Sequence, residues 1–197
     1  APDLQALSQA DSLAIDPHKW LYTPLEAGAI LVRDPNVLVD AFAYRPPYYH
    51  LDDETVNYYE RGPQNSRGFR ALKVWLQLRQ AGRRGYVESI GDDCRLASLL
   101  YDLCDEDPEL EARTCNLSIT TFRLRPAGLE GGELDRLNEE LLERLQKGGE
   151  AFVSNAVIDG SYFLRVCIVN FRTTEDDIRA LPEIVKRVGS ELLTAAR

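Results

Sequence analysis

Apolar residues fall into stretches of different period along the chain, and each period names an element. Residues 27–32 form an unbroken apolar run closed by Arg33-Asp34-Pro35-Asn36, which predicts a buried strand followed by a turn. Residues 37–42 predict a short helix. From residue 43 to 65 the chain is rich in Tyr, Pro, Asp and Arg without any period, and Pro46, Pro47 and Pro63 forbid a continuous helix. A loop of more than twenty residues is expected there, and loops that long in compact domains are mostly functional or mobile.

The pattern changes after Pro63. Phe69, Leu72, Trp75 and Leu76 share one face of a helix expected to end near Gly82, and a second helix is expected over 86–105. Its inward positions are Ile90, Leu96, Leu99, Leu100 and Leu103. Phe122 and Leu124 alternate with Arg123 and Arg125, as in a strand. Leu134, Leu137, Leu141 and Leu145 recur at helical spacing. Residues 151–158 and 162–169 flank Asp159-Gly160, a two-residue hairpin signal. Thr174 with Glu175, Asp176 and Asp177 opens a last helix, in which Pro182 is expected to introduce a kink. From about residue 73 the chain therefore reads as an α/β module with a small, largely antiparallel sheet.

Composition narrows the class. The 197 residues carry a net charge of −9 with 44% hydrophobic and 28% charged positions, the profile of a soluble globular chain of one domain or two small ones. No apolar run approaches the roughly 20 residues of a spanning helix, and no basic segment precedes an apolar one as in a signal peptide. The acidic balance argues against nucleic acid. Cys94, Cys104, Cys115 and Cys167 form no CxxC pair, and only His18 and His50 could join them. That pattern predicts reduced core thiols in a cytoplasmic protein, with no metal site. There is no Met, and the opening Ala1-Pro2-Asp3 is explained by initiator removal or by trimming from a longer chain.

Two places could carry chemistry. In Asp16-Pro17-His18-Lys19-Trp20 the lysine follows a turn and precedes apolar residues. Desolvation there favours the neutral amine, the form that makes a Schiff base with an aldehyde; the alternative is a lysine reaching outward from a loop. Arg165 is the one charged residue within 162–169. A buried unpaired charge costs several kcal/mol, so it must meet an anion, either a ligand or a structural Asp.

Ala10-Asp11-Ser12, then His18-Lys19-Trp20-Leu21, then residues 27–32, Ala41-Phe42, Tyr48, Arg67-Gly68-Phe69-Arg70-Ala71-Leu72-Lys73 with Trp75, and Phe163-Leu164-Arg165-Val166 occur in one order. The series resembles group II pyridoxal-phosphate-dependent amino-acid decarboxylases, the aromatic-L-amino-acid and glutamate decarboxylase relatives. The resemblance implies a fold-type I, aspartate-aminotransferase-like enzyme. Residues 1–72 would end the large cofactor domain, with the lysine segment and catalytic loop, and residues 73–197 would form the small C-terminal domain. It further implies that Lys19 forms a Schiff base with pyridoxal 5'-phosphate and that His18 orients the cofactor with its substrate. Tyr48, in a lid over residues 44–50, would return a proton after carbon dioxide leaves, and a shift of one residue would give that part to Tyr49. Ser66 and Gly68 would bring backbone donors to the cofactor phosphate across a dimer interface, and Arg165 would take the substrate α-carboxylate.

The implied product is an amine, made by a homodimer with shared active sites and no metal. Trp20 and Tyr48 favour a decarboxylase over another group II-like pyridoxal-phosphate lyase. A non-catalytic dimerisation or scaffold fragment is the reading from a different class. Asp16 stands where some relatives have a phosphate-contacting Asn, and a carboxylate does not suit that task. The family's aspartate beneath the pyridinium, its stacking ring and its phosphate cup precede the lysine, and only eighteen residues precede Lys19. The chain is therefore expected to be about two-fifths of such an enzyme and inactive alone. Residues 25–27 are expected to line part of the substrate pocket.

Overall fold

Ser12–Ile15 (β1) and Ala29–Val32 (β2) pair antiparallel, with Ser12 opposite Val32 and Ile15 opposite Ala29. The computed structural model describes residues 2–49 and 55–195 and places this pair in the first of two compact units, Ala1–Gly82 and Arg83–Arg197. A 3-10 turn, Pro2–Gln9, precedes β1, and Arg33 fastens the end of β2 back to it through the carbonyls of Ser8 and Ala10 at 2.6 and 2.9 Å. Helix α1, Asn36–Phe42, follows a turn in which the Asp34 carboxylate accepts the Asn36 amide at 2.9 Å. A second 3-10 turn, Tyr58–Arg61, lies against α1, so the loop between them leaves and returns to one place. His50, within the expected lid, lies outside the described residues.

Helix α2, Arg70–Glu106, contains a break at Gly82, whose φ of 62° and ψ of 175° suit a residue without a Cβ. The two helices expected from the sequence are its two halves. The expected strand over 27–32 is present as β2 but is not buried: Ile30 and Leu31 are exposed. The helical face of Phe69, Leu72, Trp75 and Leu76 is exposed as well. A two-stranded sheet buries little by itself, and period records which residues share a face, not what covers it.

In the second unit Leu110–Asn116 (β3), Ile119–Leu124 (β4), Ser154–Ile158 (β5) and Ser161–Cys167 (β6) form an antiparallel sheet in the order β3-β4-β6-β5. Asp159 and Gly160 turn the chain between β5 and β6 with φ of 51° and 78°, the positive values that short hairpins need. Helix α3, Gly131–Gly148, buries Leu134, Leu137, Leu141 and Leu145 and packs on β6 and on α4, Glu175–Ala195. Asn138 is fully buried and fully used: it accepts from the Leu124 amide and donates to the carbonyls of Leu124 and Leu134, each at 2.9 Å. At Gly189 the last helix comes so close to β4 that an added Cβ would lie 2.1 Å from Leu124 Cδ2.

Thr174 and Asp177 cap α4 reciprocally, the hydroxyl accepting the Asp177 amide at 3.3 Å and the carboxylate accepting the Thr174 amide at 2.8 Å. Pro182 sits buried inside α4. The four cysteines are free, but they are not alike. Cys104 is a core thiol pushed up to about 12 by burial, whereas Cys115 and Cys167 are exposed, contrary to the expectation of core thiols. Both lie near strand ends, and Cys115 Sγ is 3.9 Å from the Ser98 hydroxyl of α2. Among the described residues no His, Cys, Asp or Glu side chains gather as metal ligands, and no helix is long and apolar enough to cross a membrane.

Candidate active site

The lysine turn connects β1 to β2 and is set by its own hydrogen bonds. The Lys19 amide donates to Asp16 O at 2.9 Å, Tyr22 to Lys19 O at 3.0 Å and Thr23 to Pro17 O at 3.0 Å. His18 spans the turn. Its amide meets Ala27 O at 3.4 Å, while its Nδ1 lies 2.5 Å from Ala27 O and 3.2 Å from Ala27 N. That double contact commits Nδ1 to the backbone and leaves Nε2 as the nitrogen available to a ligand. Pro17, Thr23 and Ala27 are the buried members of the turn.

Lys19 stands on the crest of this turn. Its side chain is 68% exposed, and its ammonium meets the Asp16 carboxylate at 2.6 Å. Of the two readings the sequence allows, a desolvated amine or a lysine reaching outward from a loop, this chain holds the second. The hydrogen bond and charge of Lys19 keep the Asp16 carboxyl below the usual carboxylate range, and the amine must leave Asp16 before it can act as a nucleophile. An exposed primary amine on a rigid turn fits an aldehyde-bearing group. Asp16, by charge, does not fit a phosphate.

The approach to α2 touches the same turn. Arg70, in the first turn of α2, makes an ion pair with Glu26, next to Ala27, with Nε donating at 2.8 Å to Oε1 and Nη2 donating to the same oxygen. Ser66 and Gly68 lie exposed just before the helix, where free amides favour an anion. The Glu26–Arg70 pair escapes sequence reasoning, because its partners lie 44 positions apart and no local period links them.

Tyr48 and Tyr49 lie in the loop after α1, where their rings meet edge-on with centroids 4.9 Å apart. Among the described residues the contacts of Tyr48 are with its own loop, and none joins it to Lys19. Arg165 belongs to the second unit, on β6 opposite Ser154 of β5 and Thr121 of β4. It is half-buried, and its Nη1 donates to the Ser154 hydroxyl at 3.3 Å.

No carboxylate meets Arg165 among the described residues, so the structural Asp is absent there. Arg123, on the same sheet face, shows the contrast. It is 12% exposed, pairs with Glu111 at 2.8 Å and Asp135 at 3.4 Å, and stacks over Phe163 at 4.7 Å.

Residues 1–125 match the model of the pyridoxal-dependent decarboxylase conserved domain. An aromatic-L-amino-acid decarboxylase of Bacillus atrophaeus is 32% identical over 196 residues, covering 96% of the chain and 41% of that relative. Tryptophan decarboxylase 1 of Oryza sativa subsp. japonica is 30% identical, covering 96% of the chain and 39% of that protein. The crystal structure of an Oryza sativa TDC with PLP and tryptamine superposes with a TM-score of 0.89 at 29% identity, over 96% of the chain and 40% of that structure. The fold-type I expectation is thereby met for this portion, and the chain spans about two-fifths of the length of the relatives it matches. Because the matched residues take in the lysine turn, the tyrosine loop and the start of α2, the chain belongs to the pyridoxal-dependent decarboxylase family.

Proposed function

We propose that the protein carrying this chain removes the α-carboxylate of an aromatic L-amino acid and releases the amine and carbon dioxide. The observation that carries the reading is the lysine turn of a family member, with Lys19 exposed at its crest and His18 pinned beside it. The aromatic class rests on the names of the relatives, an aromatic-L-amino-acid decarboxylase and a tryptophan decarboxylase. Lys19 would hold the aldehyde end of pyridoxal phosphate, and the amides at Ser66 and Gly68 its phosphate. When bound, the cofactor supplies a sink for the electron pair released as carbon dioxide departs.

The chain's residues would do the rest. His18 orients the reacting group through Nε2, because Nδ1 is spent on Ala27. Tyr48 returns a proton from its phenol to the carbon that lost the carboxylate. Arg165, with no carboxylate against it, is the candidate for the substrate α-carboxylate. On the same reading residues 1–72 complete a large cofactor domain, residues 73–197 form a small one, and the enzyme is a cytoplasmic homodimer.

The test is to incubate the full-length protein and pyridoxal phosphate with L-tryptophan, L-tyrosine, L-phenylalanine and L-glutamate. Amine and carbon dioxide from an aromatic substrate, both lost in Lys19→Ala, are expected. Neither product from any of the four would overturn the reading, and products from L-glutamate alone would overturn the aromatic class.

A further inference from the structure

The loop after α1 holds one tyrosine out and one in. The Pro46 carbonyl accepts the Tyr49 amide at 2.9 Å, closing a turn with Pro47 and Tyr48 at its central positions. The fixed φ of proline suits the first of these. Tyr48 therefore stands at the crest, 73% exposed, and Tyr49 at the return, half-buried. The Tyr49 ring meets Tyr59 edge-on at 6.0 Å and also meets Tyr48 edge-on, an arrangement that ring quadrupoles favour. Tyr59 lies in the 3-10 turn against α1, and its neighbour Glu60 is buried. Glu60 accepts two bonds from the Arg45 guanidinium, at 2.5 and 3.3 Å. Arg45 directly precedes the turn, so a charge-assisted, bidentate pair bridges the two ends of the segment that bears both tyrosines.

We propose that Arg45, Glu60 and Tyr59 are positioning residues that seat Tyr49 as a structural anchor and leave the Tyr48 phenol as the proton donor. The donor role of Tyr48 rests on the decarboxylase reading; the seat does not. Tyr59 contributes its ring rather than its proton. Among the described residues its buried hydroxyl has no hydrogen-bond partner, and burial, with Glu60 and Tyr49 nearby, raises its pKa above the ordinary tyrosine value. The seat also settles the register of the loop, since exchanging Tyr48 and Tyr49 would turn the anchor outward and break its contact with Tyr59.

Nitration by tetranitromethane, mapped by peptide mass spectrometry on the full-length protein, reads the seat without cofactor or substrate. Tyr48 is expected to react, with Tyr49 and Tyr59 protected. Glu60→Gln should raise nitration of Tyr49 about tenfold, the effect of losing roughly 1.4 kcal/mol from one polar contact. The double exchange Arg45→Glu with Glu60→Arg should restore protection. In the enzyme, Glu60→Gln should lower kcat about tenfold with KM changed by less than about twofold, the split expected of positioning rather than binding.

Equal nitration of Tyr48 and Tyr49 in the unaltered protein overturns the seat without any variant, and so does unchanged protection in Glu60→Gln. Absence of amine formation with protection intact overturns the donor role together with the decarboxylase reading, and supports the seat.

Discussion

Arg83–Arg197 closes a core in which Phe122, Leu141, Leu164 and Val185 are fully buried, whereas in Ala1–Gly82 the side chains of Leu25, Phe69 and Trp75 are 80%, 76% and 56% exposed. The two units are specified by different forces. The second is held by apolar burial across a four-stranded sheet, with Asn138 and Gly189 fixing how α3 and α4 meet β4. The first is tied by polar contacts, near in sequence in the backbone bonds of the lysine turn and the His18–Ala27 contact, and distant in the ion pairs Glu26–Arg70 and Arg45–Glu60. The lysine turn is drawn together by bonds among its own residues, and the second unit by the burial of its apolar face.

Substitutions can break that comparison. Phe122→Ala should destabilise the second unit by about 3–5 kcal/mol, the usual cost of removing a buried phenyl ring, measured by urea unfolding followed by circular dichroism. Asn138→Ala should cost about 2–3 kcal/mol in the same assay, because the Leu124 amide and carbonyl lose their buried partner.

A smaller, pH-dependent effect is expected at Lys186 and Asp107, paired at 2.6 Å. Burial raises the Asp107 pKa, but its bonds from Lys186 and from the Glu109 amide outweigh it, so the net shift is downward. Its stabilisation is thus present above the ordinary Asp value of about 3.9 and lost as the pH falls through the native value. Lys186 is shifted upward by its bonds to Asp107 and Glu183, so its share is present at neutral pH and lost in strong alkali. Asp107→Asn should flatten the acid limb of the stability curve, and an unchanged limb would remove this pair from the account.

The smallest effect should come from the first unit. Phe69→Ser should change stability by no more than about 0.5 kcal/mol, as for exposed positions elsewhere. Fluorescence of Trp20 and Trp75, the two tryptophans, both of which lie in that unit, follows it directly. A cost as large as that of Phe122→Ala would show that the two units are not built differently.

The sequence pattern carried the elements well. The break at Gly82, the Asp159-Gly160 hairpin and the Thr174 cap follow from residue types whose local chemistry admits few conformations. The lysine turn was legible for the same reason, since Pro17-His18-Lys19-Trp20 is a contiguous motif. What stayed hidden depends on partners distant in the chain. Period placed Leu31 and Trp75 on apolar faces, yet it cannot report what lies opposite, and both are exposed. The sequence left Lys19 either desolvated or reaching outward, and the turn sets it outward against Asp16. The pair Arg45–Glu60 joins positions fifteen apart across an aperiodic loop, where no repeat announces it. Arg165 stands out in the sequence as the one charge in an apolar run, but the structure leaves it half-buried, with the Ser154 hydroxyl of β5 and, among the described residues, no carboxylate.

The central claim is that Lys19 is the residue that holds the cofactor. Borohydride reduction of the full-length protein with pyridoxal phosphate, followed by peptide mapping, tests it directly, because Lys73, Lys147 and Lys186 are the other lysines of this chain. The pyridoxyl group is expected on Lys19 alone and absent from Lys19→Ala. A pyridoxyl group on another lysine, with Lys19 unmodified, would contradict the account.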